Sequence, residues 1–172
     1  MFKNVKNNKG FTLIELLAVI VIMGVLMMVA IPQVTKYINN SRKDAYVDTA
    51  KAYINGARYM LLNDEFQDCS LSESGTNTIL LSNVSIESGG DKSGYGRDIL
   101  KNNSWIEVKY DSSTKKYVYS IYIVDGLGNG IATTSGTPVQ ETSLSRGKVI
   151  QKNVKKDKTV TATCKILNAD AE

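Results

Sequence analysis

An α+β fold is predicted, a long N-terminal helix packed on an antiparallel meander of three or four strands. Three observations predict it. Residues 11–31 are apolar almost throughout and run straight into an amphipathic repeat that lasts to about Leu62. Residues 104–124 and 159–167 carry β-branched and aromatic side chains with two-residue alternation. The stretches between are rich in Gly, Ser, Asn and Thr. One helical pattern followed by a run of strand patterns belongs to the α+β class and not to an alternating parallel sheet.

The helix comes first. From Phe11 to Ile31 the only interruptions are Thr12, Glu15 and Gly24. At about 1.5 Å per residue such a run is roughly 30 Å long, the thickness of a bilayer's hydrocarbon core. Glu15 lies one turn inside it, where a carboxylate is costly and calls for a partner. The preceding residues, Lys3 to Gly10, are short, polar and basic, which holds that end in the cytoplasm and sends the rest across. The run could be an uncleaved anchor or a signal peptide, but a signal peptide wants a small-residue cleavage pattern after the apolar region. Pro32-Gln33-Val34-Thr35-Lys36 offers none, and the small residue, Gly10, stands before the run. Pro32 removes one amide hydrogen from the helix and Gly24 weakens it, so a kink or local opening is expected there.

Past Pro32 the apolar positions Val34, Ile38, Ala45, Tyr46, Ala50, Tyr53, Ala57, Met60 and Leu61 recur at three- and four-residue steps. Lys36, Arg42, Lys43, Asp44, Asp48, Lys51 and Arg58 fill much of the other side, and Asn63-Asp64 ends the helix. Ser70 to Gly96 reads as a long irregular connection, with Ile79-Leu80-Leu81 and Ile99-Leu100 as short packed pieces. Its glycine cluster lacks a preceding strand and a Gly-Lys-Ser/Thr ending, so it is a surface loop and not a phosphate cradle. Ser104–Tyr110 and Lys116–Val124 form strands around the turn 111–115. The second is apolar on both faces and is expected at the centre of the sheet. Further strands are expected at Lys148–Val154 and Thr159–Leu167, the latter placing Cys164 inward, toward the helix end near Cys69.

The segment Lys9-Gly10-Phe11-Thr12-Leu13-Ile14-Glu15-Leu16-Leu17, with Pro32 downstream, resembles the class III signal of type IV pilins. The likeness covers about the first fifth of the chain. It implies the pilin fold, with residues 1–10 a cytoplasmic leader that is removed, 11–32 the membrane and filament-core half of the helix, and 33–172 the head. It also implies that a prepilin peptidase cuts between Gly10 and Phe11 and methylates the new Phe11 amine. In a filament, that amine would pair with Glu15 of a neighbouring copy, since both charges are expensive in lipid and strong once paired there. Between Gly24 and Pro32 the family's helix can lose order. The partners implied are further copies of the chain, the peptidase, the inner-membrane pilus assembly machinery and the membrane before assembly. The precursor would be single-pass with its N-terminus inside, and the assembled product a cell-surface pilus.

Composition agrees with a structural protein. Of 172 residues, 42% are apolar, enough for one modest domain beside the membrane segment. The net charge of +4 owes much to the leader, and setting aside its three lysines leaves 18 basic residues against 17 acidic. Charge therefore gives no support to a nucleic-acid partner. The basic stretch Arg146, Lys148, Lys152, Lys155, Lys156, Lys158 reads instead as a solvated strand edge guarded by lysines. The chain has no histidine, which excludes His-based triads, His-containing zinc sites and the commonest general acid/base. Abundant Lys and Asn point to an AT-rich Gram-positive source.

Cys69 and Cys164 lack CxxC spacing. In an exported protein they are a disulfide or two small buried hydrophobes. Asp125-Gly-Leu-Gly-Asn129-Gly faintly resembles a calcium loop but lacks the alternating carboxylates, so it reads as a turn. No cofactor or metal is expected. The function expected is a type IV pilus subunit for adhesion, motility or aggregation. The alternatives are a minor pilin or pseudopilin of a secretion or DNA-uptake machine, a non-polymerising membrane-anchored binding protein, and, disfavoured by the missing His, an exported enzyme.

Overall fold

The computed structural model describes residues 10–67, 69, 75–87 and 89–166. The basic leader before Gly10 and the expected strand end at Leu167 lie outside the described residues. One helix, α1, spans Leu13–Leu62. It stops as Asn63-Asp64 predicts. Asp64 takes a left-handed φ of 53°, and the Glu65 amide reaches back to the Met60 carbonyl at 3.0 Å. That is the Schellman closure of a helix C-terminus, with a short polar residue where glycine more often stands.

The chain divides into two units, the first ending at Asn39 and the second starting at Asn40. In the first unit the helix surface is bare. Leu16, Ile20, Leu26 and Val29 are all more than half exposed, as are Val34 and Tyr37. The helix continues through Gly24 and Pro32 as one assigned element, and the Thr35 hydroxyl donates to the Ile31 carbonyl at 2.9 Å beside the proline.

The second unit has its own core. Tyr46, Val47, Ala50, Tyr53, Ile54, Ala57 and Met60 form the buried stripe of α1. Ala45, expected inside, is exposed, and Val47 and Ile54 take the flanking positions. Eight short strands follow among the described residues: β1 Phe66–Gln67, β2 Thr76–Leu80, β3 Trp105–Asp111, β4 Lys116–Val124, β5 Gly130–Ile131, β6 Val139–Gln140, β7 Val149–Ile150 and β8 Lys165–Ile166. The main sheet runs β2-β3-β4-β5-β7, and β6 also pairs with β4, all antiparallel. β4 is central, as its two apolar faces predict. Tyr119, Ile121 and Ile123 pack in the helix-side core, while Tyr122 and Val124 join Trp105, Ala132 and Val154 in a second cluster. The Trp105 and Tyr122 rings stack at 4.2 Å between centroids.

Three segments differ from the sequence reading. Thr76–Leu80 is a strand bonded to β3 over five residue pairs, although Thr-Asn-Thr carries no strong strand signal. Lys148–Val154 is a strand only at Val149–Ile150. From Thr159 the chain is irregular until Lys165–Ile166 pairs with β1. The alternation of Val160, Ala162, Cys164 and Ile166 supplies two faces but no partner. The β2 backbone at Thr78 takes only Thr163 and Cys164, at 3.0 and 3.3 Å.

Residues 151–164 are instead a strap tied across the sheet. Val154 N–H donates to Gly128, the Tyr122 hydroxyl to the Lys155 carbonyl at 2.7 Å, and Asn103 to the Lys158 carbonyl at 3.3 Å. The basic stretch is divided: exposed Arg146, Lys148 and Lys152 flank β7, the terminal strand of the sheet, as a lysine-guarded edge predicts, while Lys155, Lys156 and Lys158 belong to the strap. The Lys158 ammonium bonds the Gly136 carbonyl and sits 5.6 and 5.4 Å from the Trp105 and Tyr122 ring centres.

Two glycines allow close approach. A Cβ at Gly56 would lie 2.5 Å from the Ser85 carbonyl oxygen, and one at Gly94 would run into the backbone of Arg42. Cys69 and Cys164 are joined as a disulfide with Cα atoms 4.8 Å apart, and Cys164 is fully buried.

Candidate functional site

Gly10 and Phe11 lie outside the helix and are exposed, Phe11 by 90%. Thr12 is the N-cap. Its carbonyl accepts the first helical bond, from Leu16 N–H at 3.2 Å. Its hydroxyl accepts from the Glu15 N–H at 3.3 Å, and the Glu15 carboxylate accepts from the Thr12 N–H at 2.8 Å and from the Thr12 hydroxyl at 2.9 Å. Thr-x-x-Glu with reciprocal bonds is a capping box. It satisfies two of the amides that every helix start leaves without an intrahelical acceptor.

The carboxylate also sits at the positive end of the helix macrodipole, which favours a negative charge. A carboxylate inside an apolar run thus finds its first partner, Thr12, in its own chain. In the sequence Thr12 interrupts the apolar run and belongs to the pilin-like segment, with no role of its own. The signal that identifies it is the three-residue spacing to Glu15.

Both Thr12 bonds use one carboxylate oxygen, Oε2. Oε1 has no hydrogen-bond partner among the described residues. A cation brought alongside, such as a terminal ammonium, could bind Oε1 without opening the box. Gly24 and Pro32 lie further along the same helix. A Cβ at Gly24 would meet nothing within 4 Å, so no packing within the chain calls for a glycine there.

In the second unit the polar centre is Asp125, fully buried. Its Oδ1 accepts from the amides of Leu127 and Asn129, both at 2.9 Å, and from the Asn129 side chain at 3.2 Å. Its Oδ2 accepts from Ser93 at 2.8 Å and Asn129 Nδ2 at 2.9 Å. The Tyr46 hydroxyl donates to the Asn129 carbonyl at 2.9 Å, and burial, with the Asp125 charge beside it, pushes that phenol far up. The hexapeptide 125–130 is a turn knotted by its own carboxylate, with both oxygens taken by protein donors. A cleft of about 720 Å³ lies between α1 and residues 85–87, floored by Gly56, Met60 and Ile86 with Glu65 and Glu87 in its lining. Two further ion pairs, Arg58–Glu141 at 2.6 Å and Arg146–Asp44, bind 3₁₀ turns near β6 and β7 to α1.

Comparison with curated proteins and with solved structures found no match. Residues 5–31 match the family model of the prokaryotic N-terminal methylation motif. The leader junction, the capping box and the apolar helix up to Ile31 all fall inside that match. The chain therefore carries, ahead of an α+β head, the methylation motif that is the class III signal of type IV pilins and pseudopilins.

Proposed function

We propose that the chain is the precursor of a type IV pilus subunit. A prepilin peptidase hydrolyses the Gly10–Phe11 bond and methylates the Phe11 amine. The processed helix leaves the membrane for a filament core, with the head outward as the adhesive or motile surface. One observation carries this reading. A helix long and apolar enough to cross a membrane has no part of its most apolar stretch buried, while the described residues from Asn40 onward hold a buried core of their own. A bilayer covers such a helix in the precursor, and copies of the same helix cover it in a filament.

Glu15 supports assembly through chemistry. Oε2 closes the helix start and Oε1 is left to take the Phe11 ammonium of a neighbouring copy, in surroundings where an ion pair is strong. Pro32 and Gly24 are the places where the helix could open during packing, because each already lacks part of what holds a helix straight.

The test is the N-terminal mass of the protein extracted from its native cells, followed by microscopy of labelled filaments. A chain beginning at methylated Phe11 and found in filaments supports the proposal. One that begins there but remains in the envelope is a pseudopilin or minor pilin. A chain that keeps its leader in cells with active peptidase is an ordinary membrane anchor, and the filament role of Glu15 falls with it.

A further inference from the structure

We infer that Thr12 is a positioning residue for processing, keeping the scissile peptide out of the helix, an inference that rests on the cleavage proposed above. A helix extended one turn upstream would need Glu15 N–H to bond the Phe11 carbonyl and Thr12 N–H to bond the carbonyl of residue 8. Both amides are diverted. Glu15 N–H goes to the Thr12 hydroxyl at 3.3 Å and Thr12 N–H to the Glu15 carboxylate at 2.8 Å.

The helix accordingly starts at Leu13, and Gly10 and Phe11 remain non-helical and exposed. Peptidases act on backbone that is exposed and free of internal hydrogen bonds. Here the box stops the helix two residues short of the bond to be hydrolysed. Water adds to the Gly10 carbonyl carbon as the bond to the Phe11 nitrogen breaks, leaving a carboxylate on Gly10 and an amine on Phe11. The box rests wholly on residues 12–15, so hydrolysis leaves it intact and the processed chain keeps the same helix start.

Competing roles for Thr12 make different predictions. A residue read directly by the peptidase would be judged by shape, and Val is nearly isosteric with Thr. A capping residue would be judged by an oxygen that accepts from Glu15 N–H and a hydrogen it can give to the Glu15 carboxylate, so Ser and Asn would serve and Val would not. The full-length precursor, carrying Thr12→Val, Thr12→Ser, Thr12→Asn or no substitution, is incubated in membranes with peptidase from its own cells, and initial cleavage rates are measured.

Loss of a Thr cap is worth about 1 kcal/mol, which converts to about a fivefold change in population. The expectation is about fivefold slower cleavage of Thr12→Val, with Thr12→Ser and Thr12→Asn within about twofold of wild type. Thr12→Val at the wild-type rate overturns the inference, as does equal slowing of all three variants, which would mark direct reading of the side chain. Wild-type chain left uncut by a peptidase that cuts another substrate overturns the underlying reading instead.

Discussion

At the scale of single residues, Glu15 holds two duties that substitution can separate. Gln retains an acceptor oxygen for the Thr12 amide and keeps the capping box, but it removes the charge. Glu15→Ala removes both. Glu15→Gln is expected to cut the yield of sheared filaments at least tenfold while slowing leader removal less than Glu15→Ala does, as read by quantitative blotting of precursor and mature chain. Equal filament yields for wild type and Glu15→Gln would refute the charge-pairing role. Asp125 is a second pivot, because five hydrogen bonds from Ser93, Leu127 and Asn129 end on its buried carboxylate. Asp125→Ala strands those donors without water and is expected to destabilise the head by ~3 kcal/mol or more. The denaturant midpoint of the detergent-solubilised chain checks it.

At the scale of elements, the β3–β4 hairpin has a pH signature. Asp111 accepts from the Ser113 amide at 3.0 Å and from the hydroxyls of Ser113 and Thr114 at 2.6 and 2.8 Å. Those bonds hold its carboxyl down to about 2. Because the folded value lies below the unfolded one, its contribution is full above the ordinary carboxylate range and is lost as pH falls through about 2. The hairpin tip, where Lys115 holds a φ of 54°, is expected to loosen between about pH 4 and pH 2. Amide resonances of residues 111–116 would report it, and an Asp111 titrating in the ordinary range would refute it.

The strap makes a separate prediction. Trp105 is 2% exposed, stacked on Tyr122 and faced by Lys158. Trp105→Ala is expected to cost about 3–5 kcal/mol in thermal or denaturant unfolding, since it empties the second cluster between sheet and strap. A loss below about 1 kcal/mol would mean that the strap does not rely on it.

At the scale of the whole molecule, β1 and β8 pair over two residues on each side among the described residues. The disulfide between Cys69 and Cys164, 95 residues apart, therefore carries much of the tie that closes the C-terminal strap onto the end of the helix. In the chain-entropy view a bridge closing a loop of that length is worth about 4–5 kcal/mol. Reduction, or Cys69→Ser with Cys164→Ser, is expected to lower stability by about that amount in denaturant titrations. Unchanged midpoints would mean that the strap is held without it. Such a bridge persists outside the reducing cytoplasm, which agrees with the proposed export of residues 33–172.

What the sequence determined by itself is what rests on local periodicity and on short-range spacing. The apolar run, its split into a bare half and an amphipathic half, the stop at Asn63-Asp64 and the two-faced Lys116–Val124 strand are all legible, because each depends on neighbours a few residues away. The Thr12–Glu15 box rests on a three-residue spacing as well, inside an apolar run that masks the polar pair. Pairing over long separations was decided only by the tertiary structure. Thr76–Leu80 became a strand because β3 offered it an open edge. Thr159–Thr163 did not, despite a stricter alternation, because Val160 packs with the Trp105 and Tyr122 cluster and the segment meets the edge of β2 at Thr78 alone, through Thr163 and its neighbour Cys164. Ser93, Asp125, Asn129 and Tyr46 meet from three distant segments for the same reason. No spacing rule joins a helix, a glycine-rich loop and a turn, and only a closed core that excludes water makes their mutual hydrogen bonding obligatory.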